Sequence, residues 1–449
     1  MIERRLLSSL TEWKNSKSRK PLILRGARQV GKSTLIDEFA KGYDVYLKLN
    51  LDEADDCQLF DWYISVEELI DAIYVRCQQK KENKPTLLFI DEIQNSPKAV
   101  AMLRYFYEKA NHLHVIAAGS LLENLIDKKI SFPVGRVQYL VLRPCSFLEF
   151  LNGIEENYDK ELIENLQADK AHARIMKHFK NYCVVGGMPE AVMRYAENRD
   201  ILASDDIYDA LLTSYSDDVE KYASNDTMTK VIRFIIKNGW TFGGSIIAFE
   251  HFANSSYRSR EMGEAFRTIE KAMLLELVYP VTSSLLPLQP AFTRRPKLIW
   301  LDTGLINYAA GIREEVFSAN NIQDAWRGKI AEHIVAQELL AYNHKITARR
   351  NFWVNPQKGS DAEVDFVIAK NGLCIPIEVK SGINAHLKSL HIYMDTAPHN
   401  VAVRIWSNPF SVDEVITQKG KQFHLINIPF YYIGMLEKIL DSILSANSD

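Results

Sequence analysis

The run Gly26-Ala27-Arg28-Gln29-Val30-Gly31-Lys32-Ser33 decides the fold of the first part of the chain. It follows the apolar stretch Pro21–Arg25 and precedes a helical pattern over Lys32–Lys41. Glycines in such a run let successive backbone N–H groups curl around phosphate oxygens, and the dipole of the following helix adds attraction. The pattern therefore predicts a phosphate-binding loop between a strand and a helix.

The residues of this loop have separate expected roles. Lys32 is predicted to reach the β- and γ-phosphates of ATP, and Ser33 is predicted to bind Mg²⁺. A glycine-containing turn beside a surface lysine would produce the same letters by chance, but the flanking strand and helix favour the phosphate loop. The predicted nucleotide contacts are Gly26, Ala27, Arg28, Gln29, Val30, Gly31, Lys32, Ser33 and Thr34.

A second motif is the apolar run Thr86–Ile90 followed by Asp91 and Glu92. An apolar strand that ends in two acids places both carboxylates at the carboxyl edge of a parallel sheet, where ligands bind in such folds. Asp91 is predicted to hold Mg²⁺ through water. Glu92 is predicted to orient and deprotonate the water that attacks the γ-phosphate.

Two further residues could complete an ATP site, each with an ordinary alternative. Ser120 follows the next predicted strand and is either a sensor of the γ-phosphate or a turn serine. Arg136, in the run Phe132–Arg136, is either a finger that enters the site of a neighbouring subunit or a surface salt-bridge residue. The finger interpretation predicts a homo-oligomer.

Strand and helix patterns alternate through the first 150 residues. The remaining strands expected there are Val45–Leu49, His114–Ala118 and Val137–Leu142. Apolar strands that alternate with helices predict an α/β fold with a parallel sheet covered on both faces. We therefore expect a P-loop ATPase domain over residues 1–150.

The middle of the chain has a different pattern. Charged amphipathic helices predict a helical lid segment over residues 151–225. Short helices followed by strand candidates predict a winged-helix-like domain over residues 226–310. In a winged helix Arg258 and Arg260 would face DNA, whereas the apolar Phe266 indicates that much of the helix packs inward. Both a DNA contact and a purely internal role stay open.

The third motif lies near the C-terminus, where Glu363–Ala369 and Leu373–Val379 predict a hairpin. Asp365 lies on its first strand, and Glu378 and Lys380 lie two residues apart at the end of the second and so share a face. Glu332, on a predicted helix, could join them. Two carboxylates and a lysine can bind Mg²⁺, here at Asp365 and Glu378, and activate water for phosphodiester cleavage. A solvated strand face with a salt bridge is the alternative.

Composition narrows the class of protein. The chain has 449 residues, of which 47% are hydrophobic and 25% charged, so we expect a soluble protein of two or three domains. It has no apolar run of the roughly 20 residues that cross a bilayer and no secretory signal. Its five cysteines form no CxxC pair, which is typical of the cytoplasm. A net charge of −3 means that any DNA contact requires a local basic surface.

These motifs together resemble a prokaryotic family that joins an AAA+-like ATPase to a C-terminal domain of unknown function with a PD-(D/E)XK nuclease-like fold. The stretches that carry the resemblance are Leu24–Ser33, Phe89–Gln94, Gly119-Ser120, Pro133–Arg136, Gly186–Glu190, Ser259–Glu261, Leu301–Leu305, Gly328–Glu332, Glu363–Phe366 and Glu378–Lys380.

The resemblance implies ATP binding, a winged-helix segment and a restriction-endonuclease-like α/β domain over residues 311–449. It matches Glu332, Asp365, Glu378 and Lys380 to the acid, acid, acid and lysine of the nuclease pattern, with Val364 in place of a proline. Two functions stay open: an ATPase coupled to a metal-dependent nuclease that acts on DNA, and a nucleotide-controlled switch whose C-terminal domain binds DNA or protein without cleavage.

Overall fold

A computed structural model describes residues 2–63, 65–119, 133, 135–219, 223, 225–318, 328–380 and 387–446. The N-terminal sheet contains β1 (Leu22–Arg25), β2 (Val45–Asn50), β3 (Thr86–Asp91), β4 (His114–Gly119) and β5 (Gln138–Val141). Its order is β2-β3-β4-β1-β5, and every pairing is parallel. The helices around it are α1 (Leu6–Asn15), α2 (Lys32–Ala40), α3 (Ala54–Trp62), α4 (Val66–Arg76) and α5 (Pro97–Lys109).

Both faces of this sheet are buried because its strands are apolar at successive positions. Leu87 and Phe89 of β3 pack into one hydrophobic cluster, and Leu88 and Ile90 pack into another. Side chains alternate across a strand, so one strand feeds two cores. The predicted parallel sheet with two covered faces is confirmed.

Side-chain caps fix the starts of two of these helices. The Ser65 hydroxyl accepts a hydrogen bond from the Glu68 N–H at the start of α4, and the Ser96 hydroxyl accepts one from the Ala99 N–H at the start of α5. A cap of this kind contributes about 1 kcal/mol to helix stability.

A helical region follows the sheet. Its helices are α6 (Phe147–Gly153), α7 (Asn157–Glu164), α8 (His172–Val185), α9 (Pro189–Asn198) and α10 (Asp205–Asp217). The middle of the chain then contains α11 (Asp226–Asn238), α12 (Ser259–Lys271), β6 (Leu275–Val278), β7 (Pro280–Val281), β8 (Lys297–Trp300), α13 (Thr303–Ala309) and α14 (Arg313–Ser318). Strands β6 and β8 form an antiparallel pair.

The last part of the chain contains α15 (Lys329–Ala341), β9 (Phe352–Val354), β10 (Glu363–Val364), β11 (Phe366–Lys370), β12 (Leu373–Val379), α16 (Lys388–Thr396), β13 (Val401–Trp406), β14 (Ser411–Ile416), β15 (Gln422–Pro429) and α17 (Leu436–Ala446). Five of its strands form a mixed sheet of order β11-β12-β13-β15-β14. The predicted hairpin is present as β11 and β12, with Phe366 opposite Ile377. The expected first strand, however, is interrupted at Asp365.

One large hydrophobic cluster joins these parts. It contains Leu24 of the first sheet, Trp300 of the middle segment and Ile377 of the last sheet. The three parts therefore share a continuous core within the described residues. None of the helices described here is long and apolar enough to cross a membrane.

Candidate nucleotide site and C-terminal acid centre

The predicted phosphate loop connects β1 to α2, at the carboxyl edge of the parallel sheet. Its backbone takes up positive φ angles at Gln29 (61°) and Gly31 (90°). A side chain at Gly26 would collide with the carbonyl oxygen of Leu142, so glycine is required there for packing. The loop thus has the sharp curvature that the sequence pattern requires.

The side chain of Lys32 folds back over this loop. Its Nζ donates to the carbonyl oxygens of Gly26 at 3.1 Å and Ala27 at 2.9 Å. Burial lowers the pKa of Lys32, while nearby Glu92 and Asp91 raise it. A buried ammonium held by neutral carbonyls is prepared to exchange those partners for phosphate oxygens.

Ser33 and Asp91, which lie 58 residues apart in the chain, meet beside the loop. The Ser33 hydroxyl donates to Asp91 Oδ2 over 2.5 Å. Hydroxyl and carboxylate oxygens are the ligands that Mg²⁺ prefers beside phosphates. The two predicted magnesium residues are therefore adjacent, as an ATP·Mg²⁺ site requires.

Glu92 follows Asp91 in a left-handed backbone conformation with φ of 50°. Its N–H donates to Asp91 Oδ1 at 3.0 Å, and its carboxylate accepts a short hydrogen bond from Gln94 Nε2. A non-glycine residue in this conformation carries backbone strain, which is common at functional sites. Gln94 also lies against Gly119, at the end of β4, where any side chain would clash with it.

These residues open onto a cleft of about 800 Å³. Lys32, Ser33, Thr34 and Glu92 line it on the sheet side, and Pro189 lines it from the start of α9. A volume of this size is in the range of pockets that bind small organic ligands.

Two supports hold the walls of the cleft. Arg4 is buried, donates to the Val30 carbonyl at 2.9 Å and pairs with Glu149 at 3.2 Å, which ties the loop to α6. The Gly187 N–H donates to Asp302 Oδ2 at 2.6 Å, which places α9 beside the loop. Sequence reasoning gave no site role to Arg4, Gln94 or Pro189, and Arg4 and Pro189 reach the loop only through the fold.

Ser120 and Arg136 are the two ATP-site candidates for which the sequence left an alternative open. Ser120 lies outside the described residues. Arg136 precedes β5 at the amino edge of the parallel sheet, opposite the edge that holds the phosphate loop, and its Nε lies 3.4 Å from Glu108. The contact with Glu108 matches the surface salt-bridge alternative for Arg136.

The structure brings the predicted C-terminal residues together. Asp365 and Glu378 are both buried, and Asp365 Oδ2 accepts a hydrogen bond of 2.7 Å from the Val379 N–H. Lys380 Nζ lies 3.7 Å from Glu378 Oε1. Glu332, on the first turn of α15, is close enough to raise the pKa of Asp365.

A lysine that the sequence did not indicate completes this acid centre. Lys297, the first residue of β8, is almost completely buried and lies 3.1 Å from Glu332 Oε2 and 2.8 Å from Glu363 Oε1. Its ammonium also lies 5.0 Å from the ring centre of Phe352. No spacing rule links positions 297, 332 and 363, so only the fold reveals this contact.

Burial and the crowding of negative charge raise the pKa values of Asp365 and Glu378. Burial, then Glu332 and Glu378, raise the pKa of Asp365 well above its usual value. Burial raises the pKa of Glu378 to about 7, and Glu378 Oε2 is buried with no hydrogen-bond partner among the described residues. Strongly perturbed carboxyl groups of this kind are typical of functional sites and of buried ion-pair networks.

Another group of possible metal ligands lies elsewhere in the described part of the chain. Glu156, Asp159 and His178 place one potential ligand atom each within 4.8 Å of one another. Asp159, however, is already bound by the Arg174 guanidinium at 2.5 Å. We therefore interpret this group as a partly buried ion-pair network.

Comparison with known families covers most of the chain in three pieces. Residues 18–151 match the AAA domain family. This match spans the parallel sheet with its phosphate loop, and it supports an AAA-type ATPase domain in this part of the chain. Residues 176–316 match one domain of unknown function (DUF8612), and residues 327–431 match another (DUF4143). No curated protein sequence matches the chain.

Solved structures resemble the chain only distantly. The Walker-type ATPase PABY2304 of Pyrococcus abyssi has 13% identity and a TM-score of 0.46, with 69% of this chain and 96% of that chain covered. The RuvB Holliday junction branch migration motor of Thermotoga maritima has 16% identity and a TM-score of 0.28, with coverages of 62% and 90%. The Aeropyrum pernix ORC1 protein in complex with DNA has 12% identity and a TM-score of 0.26, with coverages of 68% and 90%. These TM-scores are too low to support a functional argument.

Proposed function

We propose that the protein binds and hydrolyses ATP·Mg²⁺ in the cleft beside the phosphate loop. The observation that carries the proposal is the contact of Ser33 with Asp91 next to the buried Lys32 and the strained Glu92. These four side chains come from two separate motifs and meet at one edge of the sheet. A structural turn gives no reason for this convergence.

Each residue has a distinct role in this reaction. The loop N–H groups and Lys32 bind the phosphates and stabilise the charge that develops on them. Ser33 and Asp91 would hold Mg²⁺, which supplies neutralisation of phosphate charge. Glu92 accepts the proton of the attacking water, and Gln94 keeps the Glu92 carboxylate in position.

Removal of the Lys32 ammonium tests nucleotide binding. We expect Lys32→Ala to weaken ATP binding by about 10- to 100-fold, because a charge-assisted hydrogen bond contributes about 1.5–3 kcal/mol. Lys48→Ala is the control, since Lys48 forms an exposed pair with Asp37 away from the loop. Equal ATP affinities of the two variants in calorimetric titration would contradict the proposal.

We propose further that residues 311–449 form a PD-(D/E)XK nuclease-like domain that acts on DNA. The convergence of Glu332, Asp365, Glu378 and Lys380 supports this assignment. Asp365 and Glu378 would hold Mg²⁺, which supplies activation of water, and Lys380 stabilises the charge that develops on the phosphate.

The middle segment supports a contact with DNA. Helices α11 and α12 precede the antiparallel pair β6 and β8, an order that is typical of a winged helix, and Arg258 and Arg260 are exposed at the start of α12. The alternative function is a nucleotide-controlled switch that binds DNA or protein without cleavage. The pairing of Lys297 with Glu332 and Glu363 favours that alternative, because it neutralises acids that a metal would otherwise bind.

A cleavage assay separates the two functions. Plasmid DNA is incubated with Mg²⁺ or Mn²⁺, with and without ATP. If the domain cuts, Asp365→Ala abolishes cleavage while ATP hydrolysis persists, and Asp361→Ala, which changes an exposed acid four residues away, does not. Failure of the wild-type protein to cleave double-stranded, single-stranded or branched DNA would contradict the nuclease and favour the switch.

A further inference from the structure

A second cavity lies beside the start of the phosphate loop, where Arg25 and Ala27 line it. It has a volume of about 120 Å³ and is formed by all three parts of the chain. Arg25 and Arg143 come from the N-terminal sheet region, Glu276 from β6, and Arg349 and Arg350 from the segment before β9.

The charges around this cavity do not balance. Four arginines line it, together with the two carboxylates of Glu270 and Glu276. Arg350 uses one of these acids, since its guanidinium lies 2.5 Å from Glu276 Oε2. The lining therefore carries more positive than negative groups.

Arg143, like Arg349, has no carboxylate partner among the described residues. Its Nε donates to the Asn343 carbonyl at 3.3 Å, and no carboxylate of the described chain lies within ion-pair distance of its guanidinium. Burial, then the neighbouring Arg350, lower the pKa of Arg143 to about 10. Arg143 is half-buried, and a partly desolvated guanidinium that faces other guanidinium groups is stabilised by an anion beside it.

We propose that this cavity binds a small tetrahedral oxyanion of the phosphate class. One water occupies about 10–15 Å³ of such a cavity, so the volume of about 120 Å³ accommodates a small ion with its hydration. It is well below the roughly 300 Å³ at which pockets for larger organic ligands begin. Arginine guanidinium groups bind phosphate oxygens in a bidentate manner, which suits Arg143 and Arg349.

The anion would join parts of the protein that have no other common ligand. Arg25 directly precedes the phosphate loop, and Ala27 of the loop lines the cavity. Arg349 and Arg350 lead into β9 of the C-terminal part. A bound oxyanion therefore links the base of the loop to the domain that holds the acid centre.

The test is calorimetric titration of inorganic phosphate into Lys32→Ala protein at constant ionic strength, with chloride as the balancing salt. The Lys32→Ala background removes the phosphate loop as a competing site. We expect one phosphate to bind, and Arg143→Gln to weaken it by at least about 10-fold. Arg143→Lys should retain part of the affinity.

Two more variants distinguish a loss of phosphate binding from a folding defect. Arg349 is exposed and bonds only to carbonyls of its own turn among the described residues, so Arg349→Gln should leave the fold intact and weaken phosphate by about 3- to 10-fold. Arg104→Gln, on the surface of α5, should change nothing. Absence of phosphate binding, or equal affinity in Arg349→Gln and Arg104→Gln, would overturn the proposal. Because the titration requires no ATP hydrolysis, its outcome is independent of the proposed ATPase.

Discussion

The nucleotide cleft and the C-terminal acid centre both contain a buried lysine, yet the two lysines have different partners. Lys32 is held by the neutral carbonyls of Gly26 and Ala27. Lys297 is held by the carboxylates of Glu332 and Glu363. Phosphate oxygens can replace carbonyls at low cost, whereas replacement of two carboxylates leaves buried charges without compensation.

This difference indicates what each site does without a ligand. The cleft is prepared for an anion, because the Lys32 ammonium donates hydrogen bonds only to uncharged carbonyls among the described residues. The acid centre is already neutralised from within, by a lysine that belongs to another part of the chain. A divalent metal that binds Glu332 must therefore compete with Lys297.

The largest expected effect concerns the cleft and a second subunit. If Arg136 acts in trans, Arg136→Ala lowers ATP turnover by about 1,000-fold without loss of ATP affinity. Arg104→Ala is a matched control, since Arg104 and Arg136 both pair with Glu108. Addition of Glu92→Gln protein to Arg136→Ala protein should restore part of the turnover. Equal ATP turnover in the Arg136→Ala and Arg104→Ala proteins would show that the ATP site needs no arginine from a second subunit.

The next largest effect is on stability and concerns the C-terminal acid centre. Lys297→Met leaves Glu332 and Glu363 without their cation, so we expect the free energy of unfolding to fall by about 3–5 kcal/mol. Lys48→Met, which breaks an exposed pair with Asp37, should cost less than about 1 kcal/mol. Urea denaturation of both variants measures this contrast. A loss below about 1 kcal/mol for Lys297→Met would show that the centre is not internally neutralised.

A smaller effect is the pH dependence of stability. The folded pKa of Glu378 is raised to about 7, so the folded state holds a proton that the unfolded state has released. This proton stabilises the folded state fully at pH values below the pKa of Glu378 in the unfolded chain. The stabilisation, about 3 kcal/mol, is lost as the pH rises through about 7. Glu378→Gln should flatten this slope in a chelator-containing buffer. The exposed Glu437→Gln should keep it, and equal slopes would contradict the assignment.

Local sequence patterns were sufficient to predict the strands, loop and helix that carry the candidate nucleotide residues. The glycine spacing, the strand that ends at Asp91 and the Ser96 cap depend on neighbours in the chain, and the structure has each of them. Strand β12 also has the predicted bounds, Leu373–Val379.

Contacts between distant segments could not be predicted in this way. Lys297 meets Glu332 and Glu363 only after the middle and last parts fold together, and Arg4 supports the loop from the N-terminal side of α1. The interruption of the strand at Asp365 likewise depends on its hydrogen bond with Val379 on β12. These features need tertiary structure, because no period of a helix or strand relates the residues.

The most direct test of the account is the separation of ATP binding from ATP hydrolysis in Glu92→Gln protein. The substitution keeps the size of the side chain and removes only the base, so ATP affinity should stay within about 3-fold of the wild type while the single-turnover rate falls by at least about 100-fold. Equilibrium titration and rapid-quench hydrolysis on the same preparation measure both quantities. An unchanged hydrolysis rate would contradict the assignment of Glu92 as the base and of the cleft as an ATPase site.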